Sequence, residues 1–301
     1  MSPRVVRTVA GARRLRREAR EAGRRVAFVP TMGALHEGHL ALVRRARALG
    51  DEVWVSIFVN PTQFGPGEDY DRYPRDLEGD TRLLEREGVA TVFAPAEREM
   101  YPEPPAVTVG FGGLEDVLCG ASRPGHFAGV GLVVLKLFHI VEPDVAVFGQ
   151  KDAQQAVLIR RLVADLDLPV RIEVAPTVRE GDGLAMSSRN RYLGPEERAA
   201  APALYRALQA GRRAVASGET GPAAVEAAMR AVLAAEPRLG VEYAACVDPR
   251  SLQPPAGIAG PVLLAVAARL GGARLIDNVL ASPDGVHPET LSDLDRAGGF
   301  R

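Results

Sequence analysis

The stretch Phe28-Val29-Pro30-Thr31-Met32-Gly33-Ala34-Leu35-His36-Glu37-Gly38-His39 decides the fold. The apolar run Val26 to Val29 reads as a short buried strand ending at Pro30. A turn carrying Gly33 then leads into a helix from about Gly38 to Leu49. In open α/β sheets, the turn at the carboxyl end of a parallel strand is where ligands bind. Backbone N–H groups at a helix start favour an anion there. The turn is therefore expected to hold a nucleotide. His36 and His39 lie on one helical face, where both rings reach one ligand. Surface or capping histidines are the alternative. A zinc-protease reading fails, because that pattern spaces its histidines i, i+4 around a glutamate.

Working outward, Val53 to Val59 is a β-branched and aromatic run typical of an interior parallel strand. Ala90–Ala94, Asp144–Phe148 and Val170–Ala175 read as further strands. Helices are expected at Val9–Ala22, Asp76–Glu87 and Ala153–Asp165. This alternation predicts a Rossmann-like, doubly wound, mostly parallel sheet over residues 1–177. After Pro176 the composition shifts. Pro195–Ala216 and Pro222–Ala235 read as alanine-rich helices, and Val241–Val247, Val262–Ala268 and Leu275–Val279 as strands. A small α+β domain over 178–281 follows, and the polar tail 282–301 is expected to be disordered.

The chain has 301 residues, 47% apolar and 25% charged, with a formal net charge of −1. That balance gives no broad nucleic-acid surface and no anionic-membrane partner. Cys119 and Cys246 offer neither a disulfide framework nor metal-ligand spacing. The start leads into no apolar signal core, and the run Gly129–Val141 is too short to span a bilayer. A cytoplasmic protein is expected. Of 37 basic residues only Lys136 and Lys151 are lysine. A lysine in so arginine-biased a chain flags a site that needs a compact point charge.

Three further clusters carry chemistry. Asn60-Pro61-Thr62-Gln63 follows the second strand and offers two neutral amides for hydroxyls or a carboxylate, although Asn-Pro is also routine turn chemistry. Phe148-Gly149-Gln150-Lys151-Asp152 follows another strand, with Lys151 where a helix start would meet phosphate and Gln155 one turn on. Met186-Ser187-Ser188-Arg189-Asn190 supplies two hydroxyls and a guanidinium suited to a triphosphate, or else a capping linker. Arg123 and His126 form another Arg/His pair. Asp69, Asp71, Asp76 and Asp80 offer carboxylates for Mg²⁺, with a solvated acidic loop as the alternative. The long Asn60–Arg75 segment is expected to act as a lid.

Taken together, these segments resemble the pantothenate synthetase (pantoate–β-alanine ligase) family. The likeness runs from about Val26 to Val279, with four motifs in order between Pro30 and Asn190. The Pro30–His39 turn resembles that family's version of the HIGH signature of nucleotidyl-transferring enzymes. The resemblance implies an ATP-binding domain, a small C-terminal lid domain and a homodimer. It also implies ATP-dependent condensation of pantoate with β-alanine through pantoyl adenylate, releasing AMP and pyrophosphate, with Mg²⁺. In its terms Met32, Gly33, Ala34, Leu35, His36, Glu37, Gly38 and His39 contact ATP. Gly149, Gln150, Lys151, Asp152, Val178, Met186, Ser187, Ser188 and Arg189 do the same. Gln63, Gln155 and Asn60 fall to pantoate and β-alanine, His39, His36 and Lys151 to catalysis, and Asp80 to the metal. Another HxxH-type nucleotidyltransferase, or a nucleotide sensor without turnover, shares the turn and stays open at this level.

Overall fold

Near-continuous apolar runs suit strands covered on both faces, and such runs build the first sheet. The computed structural model describes residues 2–296. It pairs β1 (Arg4–Val6), β2 (Val26–Thr31), β3 (Glu52–Ile57), β4 (Thr91–Phe93), β5 (Val145–Gly149) and β6 (Arg171–Ala175). Their order is β1-β4-β3-β2-β5-β6. The β2–β3, β2–β5, β3–β4 and β1–β4 pairs are parallel, with Phe28 opposite Trp54. Winding reverses between β2 and β5, the switch point at which such sheets bind ligands. The sheet is the doubly wound one the sequence predicts.

Side chains alternate across the sheet. Ala27, Val29, Val53, Val55, Val92, Val145 and Val147 face one core. Val43 and Ala46 of α2 (Glu37–Arg47) and Leu84 of α3 (Leu77–Arg86) complete it. Phe28, Trp54 and Phe148 take the other face. There Phe138 of α5 (His126–Val141) meets Phe148 edge-on at 6.4 Å. α1 (Val9–Glu21) packs beside α5, and its buried Arg16 reaches the Glu142 carbonyl at 2.8 Å and Asp144 at 3.1 Å.

The second unit is built on an antiparallel sheet of β7 (Gly240–Val247), β8 (Val262–Leu270) and β9 (Ala273–Ala281). α8 (Ala203–Ala216) and α9 (Pro222–Ala234) cover it through Leu204, Leu208, Val225 and Met229. The expected single helix Pro195–Ala216 is two, since Pro195–Ala200 ends before Pro202 and α8 begins after it. Proline supplies no N–H to continue the ladder.

Two more boundaries differ from expectation. Gly149–Val157 and Val117–Cys119 group with the second unit rather than with the sheet that precedes them. The stretch expected to be disordered from 282 holds a helix, Leu291–Arg296, with Leu291 and Leu294 buried. Asp293 secures its start by accepting from the Thr290 backbone N–H at 2.9 Å and hydroxyl at 3.0 Å. Residues 297–301 lie outside the described residues. No helix among the described residues is long and apolar enough to cross a membrane.

Candidate functional site

The turn after β2 is held from beneath by one carboxylate. Gly33 and Ala34 both adopt positive φ, at 82° and 52°, a curl that turns successive N–H groups to one side. Asp80, only 4% exposed on α3, accepts from Ala34 N at 2.9 Å and Leu35 N at 2.8 Å. A Cβ at Gly33 would stand 2.8 Å from the same carboxylate, so the position needs glycine for space as well as for φ. Thr31 Oγ1 accepts from Gly33 N at 3.1 Å and donates to the Ser56 carbonyl at 2.7 Å.

His36 caps α2, its Nδ1 accepting from Gly38 N at 3.1 Å, while His39 Nδ1 faces His36 N at 3.4 Å. With Nδ1 an acceptor in each ring, the neutral tautomer carries its proton on Nε2. The two ring centroids lie 4.1 Å apart, tilted by 46°. Both rings thus sit at one end of a helix. The backbone N–H groups of Gly33, Ala34, Leu35, His36, Gly38 and His39 are all taken by protein acceptors. These amides are met within the protein, where a helix start alone suggests an open cradle.

The segment after β3 folds into a 3-10 turn, Pro61–Gln63, under α5. Gly129 lets the helix approach, since a Cβ there would meet the Thr62 carbonyl at 2.2 Å. Asn60, 1% exposed, donates to Gln63 Oε1 at 3.0 Å and to the Gly129 carbonyl at 3.2 Å. Its own Oδ1 accepts from the Thr62 and Tyr101 hydroxyls, each at 3.0 Å. That leaves the Gln63 amide pointing its Nε2 at Met32 Sδ, 3.3 Å away. A thioether is a weak acceptor, so a ligand oxygen displaces it at little cost. His126 Nδ1 donates to the Gln63 carbonyl at 2.8 Å, and Arg123 Nη1 donates to His126 Nε2 at 2.9 Å. Arg123 also forks onto Glu68 at 2.6 and 2.7 Å. Burial pushes the Glu68 carboxyl up, but the Arg123 hydrogen bond and charge outweigh it and leave it lowered.

In the second unit, Gln150–Asp152 forms a 3-10 turn leading into α6 (Ala153–Asp165). The Lys151 ammonium is 3.7 Å from Asp152, beyond hydrogen-bond distance. Gln150 is 1% exposed, and Gln155 is half-buried one turn along. Val178 and Met186 face each other across a hairpin, Met186 N donating to the Val178 carbonyl at 3.0 Å. Ser187 caps the turn Ser188–Tyr192 by accepting from Arg189 N at 3.3 Å. Beside the hairpin, Arg179 grips buried Asp277 bidentately at 2.6 and 3.0 Å and lies 4.1 Å over the Tyr205 ring. Burial raises the Asp277 carboxyl against the pull of that guanidinium.

A family profile described as Pantoate-beta-alanine ligase matches residues 4–280. The chain belongs to the pantoate–β-alanine ligase family. Pantothenate synthetase of Moorella thermoacetica is 54% identical over 276 residues, 92% of this chain and 98% of that one. A crystal structure of pantothenate synthetase from Thermus thermophilus gives a TM-score of 0.87 at 49% identity. It covers 95% of this chain and 100% of that one. The Francisella tularensis pantoate-beta-alanine ligase, complexed with beta-gamma ATP and beta-alanine, gives 0.76 at 32% identity, covering 93% and 98%.

For this pantoate–β-alanine ligase family member, the structure brings together Met32, Asn60 and Gln63, pairs His36 with His39, and sets Val178 against Met186. Glu37 points away, exposed and paired with Arg44. Asp80, expected at the metal, has both oxygens turned inward onto the histidine turn. Asn60, expected at substrate, uses every hydrogen-bonding position of its amide within the protein and orients Gln63. Tyr101, Arg179 and Asn278 carry no motif in the sequence, and their partners come from distant segments. The last belongs to the polar pair Asp277-Asn278 inside an otherwise apolar strand, a placement that costs stability unless partnered.

Proposed function

We propose that this chain condenses pantoate with β-alanine at the expense of ATP, through pantoyl adenylate, releasing pyrophosphate and then AMP. The observation that carries the reading is the two-histidine turn, whose rings lie 4.1 Å apart and each use Nδ1 to accept from the turn's own backbone. Beside it lies a Gln63 amide whose partner at Nε2, among the described residues, is a thioether. The pantoate carboxylate attacks the α-phosphorus and pyrophosphate leaves. The β-alanine amine then attacks the acyl carbon and AMP leaves. Such chemistry asks the protein for positioning and charge stabilisation, with no covalent nucleophile.

His36 and His39 donate Nε2–H to phosphate oxygens as charge develops, and His39 is the acid. Lys151 supplies a compact cation to the phosphates, with Gly149, Gln150, Asp152, Val178, Met186, Ser187, Ser188 and Arg189 as further ATP contacts. Gln63 and Gln155 hold pantoate, and Gln63 also lies near β-alanine. Met32 lines the turn, and Asn60 acts through Gln63. Among the described residues no group of three acidic, histidine or cysteine side chains stands ready to hold a metal. Mg²⁺ enters as MgATP, held largely by the phosphates as this ion commonly is. A homodimer and a cytoplasmic location complete the proposal and rest on the family resemblance.

Pantoate-dependent ATP–pyrophosphate exchange tests the reading. His39→Ala is expected to lower exchange by about 10²-fold or more, the scale of a lost transition-state donor, with a melting temperature lowered by no more than the few degrees that a lost cap contact costs. Exchange at the wild-type rate would refute the assignment.

A further inference from the structure

Lys151 is placed by its backbone. Its ammonium makes no hydrogen bond among the described residues, and what fixes the residue is the peptide on either side of it. Asn278 of β9, 4% exposed, directs both hydrogens of its Nδ2 onto neighbouring carbonyls, those of Gln150 and Lys151, each at 2.9 Å. Its Oδ1 accepts from Gln150 Nε2 at 3.0 Å, and Gln150 Oε1 in turn accepts from Leu291 N at 2.9 Å. The chain of donors has one consistent sense. Leu291 N–H sets which end of the Gln150 amide faces Asn278, and that sets which end of Asn278 faces the two carbonyls. Flipping either amide would set oxygen against oxygen in a buried place, where an unmet polar group is costly. The strand is anchored at the adjacent residue as well, where Asp277 takes the Arg179 fork and accepts from Asn278 N at 2.7 Å.

We infer that Asn278 is a positioning residue for Lys151, fixing the Gln150 and Lys151 carbonyls so that the lysine leaves the turn at a set place and angle. The inference rests on the reading of Lys151 as the phosphate-binding cation. Asn278 touches no substrate in this account. Its effect reaches ATP through the Cα of Lys151, leaving only the lysine's own torsions to be settled by the ligand. Displacing a binding group by about 1 Å is enough to lower turnover by up to about 10²-fold.

The chain's composition supplies the test. Lys136 and Lys151 are the only lysines, so reductive ¹³C-dimethylation, which keeps the positive charge, gives two lysine signals in an NMR spectrum besides the terminal amine. Lys151→Ala assigns them. In the wild type, ATP alone is expected to move the Lys151 signal and leave that of Lys136 in place. Asn278→Asp is nearly isosteric but turns an oxygen toward the two carbonyls. With this variant the Lys151 signal of the nucleotide-free protein is expected to shift, and its response to ATP to be lost. The KM for ATP should rise about tenfold, while the KM values for pantoate and β-alanine stay within about twofold. Should Asn278→Asp fail to fold, Asn278→Ser removes both bonds to the two carbonyls and is read the same way. A wild-type Lys151 signal and ATP response in a variant that has merely lost thermal stability would overturn the inference. Wild-type kinetics in Lys151→Ala would instead overturn the reading beneath it, so the two failures are told apart.

Discussion

Replacing Asp80 with asparagine probes the joint on which the histidine turn hangs. The carboxylate is 4% exposed and accepts two backbone N–H groups at 2.9 and 2.8 Å. A hydrogen bond to a charged acceptor contributes about 1.5–3 kcal/mol, and an abandoned buried donor costs about 1–3 kcal/mol. Asp80→Asn keeps one acceptor but sets an NH₂ group against the other N–H, so the loss should be about 2–3 kcal/mol. Asp80→Ala abandons both donors and should cost about 3–6 kcal/mol, a large part of a typical total of about 5–15 kcal/mol. Urea unfolding reads the stability, and pantoate-dependent ATP–pyrophosphate exchange reads the turn. In Asp80→Asn both should fall together, while the Mg²⁺ concentration for half-maximal exchange stays at the wild-type value. A stability loss below about 0.5 kcal/mol, the scale of an indifferent surface change, would refute the anchoring role. A raised Mg²⁺ requirement at unchanged stability would return Asp80 to the metal.

Gln63→Ala should raise the KM for pantoate more than that for ATP, measured in steady state, because the amide it removes faces Met32 and not the histidine rings; an unchanged pantoate KM would remove its role. The Glu68–Arg123 pair should make stability fall in acid. The folded carboxyl lies below its ordinary value of 4.5, so its contribution is full above the unfolded value and is lost as pH falls through the folded one. Glu68→Gln should flatten that acid limb in pH-dependent urea unfolding, by about 1 kcal/mol or less for a partly exposed pair.

The parallel sheet was legible because its strands announce themselves: Val26–Val29 and Val53–Ile57 are too apolar and β-branched to lie anywhere but between two layers. β1 was not, since three residues with Val5 42% exposed carry no pattern. The helix over 291–296 was hidden for a related reason. Two leucines in a polar stretch do not signal burial until Gln150, far away in the chain, accepts from the Leu291 N–H. At the site, the sequence exposed the residue types that meet ligands, such as paired histidines, a rare lysine and amides after strands. It did not expose what holds them. Asp80 under the turn, Tyr101 on Asn60 and Asn278 on Lys151 are pairings made by tertiary packing, and no local spacing encodes them. A carboxylate and an amide near a switch point read alike in sequence whether they face inward or outward, so the partners of Asp80 and Asn60 carry no local signal.

ATP is cleaved here to activate pantoate. AMP release, followed in parallel reactions with ATP alone, with pantoate, and with pantoate and β-alanine, tests it most directly. Continuous AMP release is expected only when both pantoate and β-alanine are present, with pyrophosphate released in equal amount. AMP formation that ignores pantoate and requires a nucleotide or phosphate acceptor, or ATP binding with no AMP under any of these conditions, would contradict it.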